Sequence, residues 1–319
     1  MAMEAVHTSV LLAECLEYLA PETDRPLMVD GTLGEGGHSE AFLEKFPNLR
    51  VIGVDADVRI QARARERLAP FGDRICFFPG WADSFFTDYP ENEKKPDIIL
   101  LDLGISIFHY ELSGRGFSFR TNEPLDMRLD PHSGDSAADL VNGLGERDLA
   151  DLIFQNGEER YSRRIAAAIV QARRNAPFAT ARSLADCVYN AVPAAYRHGH
   201  IHPATKTFQA LRIAVNGELS RLPGLINAAL SVLETGGKFG VITFHSLEDR
   251  IVKNLFRDAS KECICPPEVP ICKCGGRVRV ELLTRKPVSP SKEEISRNSP
   301  SRSARLRVVR KIAAGEKKT

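Results

Sequence analysis

The stretch Leu27-Met-Val-Asp-Gly-Thr-Leu-Gly-Glu-Gly-Gly-His38, followed by Val51-Ile-Gly-Val-Asp55, constrains the fold of this chain more than any other. An apolar run ends in Asp30, and a turn holding Gly31, Gly34, Gly36 and Gly37 follows it. A helix-like segment from Ser39 to Phe46 leads to a second apolar run that ends in Asp55. Strand, tight loop, helix and strand make the opening βαβ unit of a nucleotide-binding sheet. Glycines let a backbone approach a ligand closely, and an acid ending the second strand can take both hydroxyls of a ribose. The spacing argues against a dinucleotide, because Gly34-x-Gly36-x-x reaches Ser39 where that fingerprint needs Gly or Ala. An acid directly before the loop, Asp30, suits S-adenosylmethionine better, since that molecule has no pyrophosphate but carries an ammonium and a sulfonium. The plainer reading is a glycine-rich surface turn with no ligand.

With 319 residues the chain is long enough for a large core and two domains. It contains no apolar stretch that would span a bilayer, and Met1 to His7 lacks the basic start and apolar core of a signal peptide. Seven cysteines without signs of secretion read as a reduced, cytoplasmic protein. The net charge of +1 hides an asymmetry: residues 277–319 hold 13 Lys/Arg against 4 Asp/Glu. Such a basic end attracts phosphate backbones, although a solvated tail and strand edge is the plainer reading.

His7 to Leu19 reads as an amphipathic helix, and Arg59 to Ala69 as another. Ile75–Phe78 is a short strand, and Asp97-Ile-Ile-Leu-Leu-Asp102 a buried one ending in an acid. Strands alternating with helices imply a parallel, doubly wound α/β sheet. From Ser136 to about Arg197 the pattern turns helical, clearest over Glu158 to Asn175, and Pro203 opens a further helix. The sheet resumes at Lys238–Phe244, where Ser246 is expected to cap a helix, and ends in strands at Val278–Thr284 and Arg305–Ile312. The expected organisation is a discontinuous cofactor domain, 1–112 and 204–319, interrupted by an inserted helical domain for substrate recognition at 113–203.

Asp102-Leu-Gly-Ile-Ser106 follows the fourth strand, and ligands of doubly wound sheets bind beyond the carboxyl ends of strands. Acceptors there can hydrogen-bond a target amine, orient its lone pair and draw off a proton, which makes Asp102 and Ser106 catalytic candidates. His245, in Phe244-His-Ser-Leu-Glu-Asp-Arg250, lies on the same rim and is the third. For each, a capping or structural role is the alternative. Arg115-Gly-Phe-Ser-Phe-Arg120 and Pro124-Leu-Asp-Met-Arg-Leu-Asp130 mix arginines with aromatics, a composition suited to unpaired nucleic acid. Cys263-x-Cys265 and Cys272-x-Cys274 resemble metal knuckles, but single-residue spacing is less usual than two, and no metal is expected.

Together, His7-x-Ser-Val-Leu-Leu12, Asp30-Gly-Thr-x-Gly-x-Gly-Gly-His38, Asp102-Leu-Gly-x-Ser106, Arg115-Gly-Phe-Ser-Phe119, Pro124-Leu-Asp-Met-Arg128, His202-Pro-Ala-Thr205, Thr207-Phe-Gln-Ala-Leu-Arg212 and the Phe244–Arg250 segment resemble the bacterial RsmH (MraW) family of 16S rRNA cytosine-N4 methyltransferases. The resemblance runs from about residue 7 to 311. It implies a class I (Rossmann-like) S-adenosylmethionine-dependent methyltransferase sheet with a helical insertion. It also implies methyl transfer to N4 of a decoding-centre cytidine, expected at position 1402. The implied cofactor residues are Gly34, Gly36, Gly37, His38, Asp55 at the ribose and Asp102. Two positions depart from the family pattern. Ala82 stands where an aromatic is usual, which passes the adenine contact to Trp81 or Phe85, and His109, a further implied cofactor contact, stands where Gln is usual. The implied partner is 16S rRNA within the small ribosomal subunit, with no membrane, and a homodimer is compatible with the chain.

Two other classes compete. A dinucleotide-dependent oxidoreductase would need a complete phosphate fingerprint, which the loop lacks. A non-catalytic assembly factor would have no use for acids at the ends of three strands, Asp30, Asp55 and Asp102.

Overall fold

The computed structural model of the protein describes residues 9–132, 134–199, 201–262 and 278–313. The chain folds as two compact units, one built from residues 1–104 with 221–319 and the other from 105–220.

The first unit opens with helix α1 (Leu12–Tyr18), then β1 (Leu27–Asp30), α2 (Gly37–Lys45), β2 (Arg50–Asp55), α3 (Val58–Leu68), β3 (Ile75–Pro79), α4 (Ala82–Thr87) and β4 (Ile98–Asp102). The helices of the second unit follow: α5 (Ile107–Glu111), α6 (Ala137–Gly143), α7 (Glu146–Gly157), α8 (Ser162–Ala172), α9 (Ala181–Ala191), α10 (Ala194–Arg197) and α11 (Thr205–Asn216). Helix α12 (Glu218–Val232) carries the chain back to the first unit. There follow β5 (Lys238–Thr243), α13 (Ser246–Ala259), β6 (Val280–Leu282), α14 (Lys292–Arg297) and β7 (Arg305–Lys311).

The strands form one sheet in the order β3-β2-β1-β4-β5-β7-β6. β1 to β5 run parallel, and β7 slots between β5 and β6 antiparallel to both. This is a doubly wound, Rossmann-like sheet, and its order reverses between β1 and β4, where ligands of such folds bind. The central strands are buried on both faces, and side-chain alternation divides them. Leu27, Val29, Ile99 and Leu101 pack with Phe86 and Ile226 on one face. Met28, Ile98 and Leu100 pack with Phe42, Leu43 and Leu68 on the other.

The expected N-terminal helix is shorter than its apolar pattern. Leu11 sits at φ +54° and starts α1 only at Leu12, and its N–H is taken by Glu294 Oε1 at 2.8 Å. The basic C-terminal strand is not the solvated strand edge expected: β7 lies between β5 and β6, Arg307 is buried, and the strand's cations are engaged within the fold. Arg307 and Arg305 bind Asp249, Arg310 binds Glu281, and Lys311 donates to the carbonyls of Ser231 and Leu233. The helical unit extends beyond 113–203, because α11 packs along α7 and against α6. Its core joins Phe117, Leu125, Ile153, Ile169, Leu184 and Phe208. Among the described residues no helix is long and apolar enough to cross a membrane.

Candidate active site

Parallel register places three acids on one rim. Asp30 at the end of β1 is level with Gly53 and Leu100, so Asp55 and Asp102 each stand two residues farther along β2 and β4. The glycine loop fills the space above β1. Gly36 has φ +81°, and a Cβ there would come within 2.9 Å of Leu68. A Cβ on Gly37 would collide with Ser9. These two glycines therefore serve the close packing of loop, α2 and the N-terminal segment. Gly34 has φ +54°, and a Cβ there would make only ordinary contacts, at 4.0 Å, with Ile60 and the Thr32 carbonyl.

Asp55 holds this loop. One carboxylate oxygen accepts from Gly34 N and the other from Asp57 N, both at 2.8 Å. Asp30 is buried, and it accepts from Ser39 Oγ at 2.7 Å and from Thr32 N at 3.4 Å. Burial is the largest influence on its carboxyl and raises its pKa, outweighing the lowering by Ser39 and His38. His38 lies in the same buried cluster, with Nε2 3.0 Å from the Val10 carbonyl and Nδ1 3.8 Å from Asp102 Oδ2. A carbonyl accepts only, so Nε2 carries the proton and Nδ1 faces Asp102. Burial depresses the His38 pKa and keeps the ring neutral.

Asp102 is anchored through its backbone, whose N–H donates to Thr32 Oγ1 at 2.6 Å. Its Oδ1 accepts from Gly104 N at 3.0 Å, which curls the chain after β4 around the carboxylate. A side chain at Gly104 would meet the Phe244 ring at 2.7 Å. Two carboxylates beside a neutral imidazole form an acidic corner. That donor set fits a ligand with a positive charge, such as the ammonium of S-adenosylmethionine, and does not fit a pyrophosphate.

The two candidates for the adenine contact differ in exposure. Phe85 is 4% exposed and packs against Phe78, Phe86 and Tyr89 with ring centroids 4.9–5.5 Å apart. Trp81 is half-buried at the start of α4, with the Arg221 guanidinium 4.1 Å from its ring centroid and Asp83 holding that guanidinium at 2.6 Å. One indole face is therefore covered by a fixed cation.

His245, and not Ser246, caps α13. Its Nδ1 accepts from Glu248 N at 3.4 Å, while Glu248 Oε2 accepts from Phe244 N at 2.9 Å. Glu248 Oε1 also lies 3.0 Å from His245 Nε2. In the helical unit, Ser106 Oγ accepts from Phe108 N at 3.2 Å and caps α5. His109 is buried in that unit, with its ring 5.5 Å from Phe108 and 5.4 Å from Phe117. Two arginines expected to face nucleic acid are engaged locally. Arg115 is buried and donates to the carbonyls of Arg128 and Leu129, and Arg128 is paired with Asp126 at 2.7 Å. Cys263, Cys265, Cys272 and Cys274 lie outside the described residues.

Sequence reasoning misses Thr32, Ser39 and the Val10 carbonyl as parts of this corner. Ser39 leaves a signal: it is the residue that breaks the dinucleotide fingerprint, and its hydroxyl is what holds Asp30.

The MraW methylase family matches residues 4–312 of the chain. A ribosomal RNA small subunit methyltransferase H from Treponema denticola is 66% identical over 310 residues, covering 97% of this chain and 98% of that protein. Its namesake from Treponema pallidum is 47% identical over 350 residues, covering 96% and 92%. Among solved structures, an rRNA methylase from Streptococcus thermophilus covers 95% of this chain and 94% of its own at 10% identity, with a TM-score of 0.39.

Proposed function

The chain belongs to the MraW methylase family, and on that premise we propose that it methylates N4 of a cytidine, position 1402, in the decoding centre of 16S rRNA. It is an S-adenosylmethionine-dependent rRNA methyltransferase. The observation that carries the finer reading is Asp102, held at the switch point of the sheet between His38 and the turn at Gly104.

Bound at the glycine loop, S-adenosylmethionine supplies an electrophilic methyl on its sulfonium. Gly34, Gly36, Gly37 and His38 would shape its cradle, Asp55 would take the ribose hydroxyls, Asp30 and Asp102 would favour its ammonium, and Trp81 would offer a face to its adenine. The amine of cytosine is a weak nucleophile because its lone pair is delocalised into the ring. Asp102 and the carbonyls of the loop leading to Ser106 accept its N–H groups, turn the lone pair toward the methyl and take charge as the proton becomes acidic. Most of the acceleration then comes from positioning. His245, whose Nδ1 accepts from Glu248 N, is the weaker candidate for orienting the base. The target base must be unpaired or drawn from its stack to reach such a site, and the helical unit is assigned to recognising its surroundings.

The test is methyl transfer from labelled S-adenosylmethionine to small ribosomal subunits lacking this modification, with the nucleoside identified by mass spectrometry. N4-methylcytidine at one site is the expected product. Cofactor binding without transfer, or a methyl on another atom, would overturn the assignment.

A further inference from the structure

His202 stands at the start of α11 in an arrangement that capping alone does not require. Its ring lies nearly parallel to two aromatic rings. Phe119 is at 4.6 Å between centroids and 27° between planes, and Tyr189 at 5.8 Å and 23°. The ladder is tied down at both ends. Phe119 packs edge-on against buried Phe208, and the Arg197 guanidinium lies 5.1 Å from the Tyr189 ring while donating to the carbonyls of Asn190 and Val192. His202 is nonetheless an exposed residue. Its Nδ1 accepts from Ala204 N at 3.2 Å, which fixes the tautomer, so a neutral ring carries its proton on Nε2. His202 therefore offers to solvent an imidazole ring, held by its aromatic neighbours, that bears an N–H donor in a fixed tautomer.

Two arginines belong to the same surface. Arg120 follows Phe119 in the chain, and Arg182 on α9 is near enough for its charge to act on His202. Both are exposed, and neither side chain makes a hydrogen bond or ion pair among the described residues. They contrast with Arg115 and Arg128 of the same sequence region, which are committed to local partners. Asp186, one turn along α9 from Arg182, is the acidic group that acts on His202, and it pairs with neither arginine.

We propose that the Phe119–His202–Tyr189 ladder with Arg120 and Arg182 is a docking surface for the sugar–phosphate backbone and bases of an unpaired RNA segment. The inference rests on the reading of rRNA as substrate and assigns it a contact surface in the helical unit. Unpaired RNA is recognised by stacking on aromatic rings and by guanidinium contacts to phosphate, and a fixed imidazole N–H adds a directional donor to phosphate oxygen or a base edge. A protein partner would be met by a broader apolar patch; among the described residues Ile201 is the exposed large hydrophobic beside the half-buried rings of the ladder.

The experiment compares wild type with R120A/R182A and with H202F, which keeps the stack and removes the donor. The readouts are affinity for unmethylated small subunits across a salt series, KM for those subunits, and S-adenosylmethionine affinity by calorimetry. The double variant touches only exposed side chains and is expected to fold. Expected for it are a roughly tenfold rise in subunit Kd and KM and a salt slope shallower by about 1.4, for two lost contacts to a single strand. Cofactor affinity should stay unchanged. Wild-type methylation with both variants keeping the wild-type Kd and salt slope would overturn the surface and leave the reaction standing. A wild type that binds subunits through these arginines yet transfers no methyl would support the surface and overturn the reaction.

Discussion

The Nε2 of His38 donates to the carbonyl of Val10, 3.0 Å away, and that bond decides that the unprotonated Nδ1 faces Asp102 at 3.8 Å. The imidazole links the N-terminal segment to the end of β4. Removing it leaves a buried carbonyl without its donor, and such a loss costs about 1–3 kcal/mol. His38→Ala should therefore lower stability by that amount in urea unfolding and weaken S-adenosylmethionine binding in calorimetry. Lowered stability with cofactor affinity untouched would place His38 in the scaffold alone.

Asp55 has two tasks whose consequences separate. It holds Gly34 N and Asp57 N, and it is assigned the ribose. Asp55→Asn keeps one acceptor oxygen for the loop but loses the charge that strengthens hydrogen bonds from hydroxyls. Hydrogen bonds to charged groups contribute about 1.5–3 kcal/mol, so cofactor Kd should rise roughly 10- to 100-fold. Calorimetry with S-adenosylhomocysteine as well as S-adenosylmethionine checks it, because both carry the ribose and should suffer equally.

For Asp102 the split runs the other way. A group whose interactions strengthen as the amine gives up its proton should show in turnover more than in cofactor binding. Asp102→Asn is expected to lower kcat by roughly 100- to 1000-fold, the usual scale for losing one preorganised electrostatic contact. Single-turnover assays with saturating cofactor measure this directly. Retained turnover would remove Asp102 from the role of proton acceptor.

Asp30 yields a pH dependence. Burial raises its carboxyl to about 6, above the ordinary aspartate value near 3.9. Between those values the unfolded chain has released this proton while the native protein still holds it. The contribution of Asp30 to stability therefore falls as pH rises from about 4 to 6, and the penalty is complete above 6. Asp30→Asn keeps an oxygen for Ser39 Oγ and removes the penalty. It should gain roughly 1–3 kcal/mol over wild type at pH 8 and nothing near pH 4. The depressed His38 works oppositely, losing stability as pH falls, and because the Asp30 charge raises its pKa, Asp30→Asn depresses it further and widens the difference between the two pH values in the same sense. Urea unfolding at the two pH values checks the difference, and a gain independent of pH would contradict it.

The parts of this architecture visible in the sequence are those written in local pattern. The glycine loop, the buried strand runs and the acids ending them lie within short stretches, and the parallel, doubly wound character of the sheet follows from their alternation with helices. The hidden parts are set by distant neighbours. Glu294 meets Leu11 across 283 positions, and no periodicity announces that a carboxylate will take the amide of a left-handed leucine. Serine caps helices often, which makes Ser246 the expected cap of α13, yet the imidazole beside it takes that place through its pairing with Glu248. Composition marks the 115–130 loop as a mixture of arginine and aromatic residues. It does not say that Arg115 turns inward to two carbonyls while Arg120 stays exposed.

The pair Asp249–Arg307 is the sharpest test of how the sheet is closed at β7. Arg307 Nε and Nη2 meet the two carboxylate oxygens at 2.7 and 3.0 Å, and both side chains are under 10% exposed. Burial works to raise the Asp249 carboxyl, but Arg307 and Arg305 outweigh it and hold its pKa below the usual range. Breaking one side of such a pair strands a buried charge and costs about 3–5 kcal/mol, whereas replacing both sides with packed apolar groups is often neutral. Arg305, 3.2 Å from the same carboxylate, keeps part of the compensation, so Arg307→Met should fall toward the low end, roughly 2–3 kcal/mol. Arg307→Met with Asp249→Leu should recover most of that loss. Because the folded pKa is depressed, the stabilisation by Asp249 is present above its unfolded value and fades as pH falls through the folded one. The cost of Arg307→Met should accordingly shrink below about pH 4. Urea unfolding of the two variants at pH 7 and pH 3.5 tests both statements, and a double variant no more stable than the single one would show that the ion pair is needed for the sheet to close.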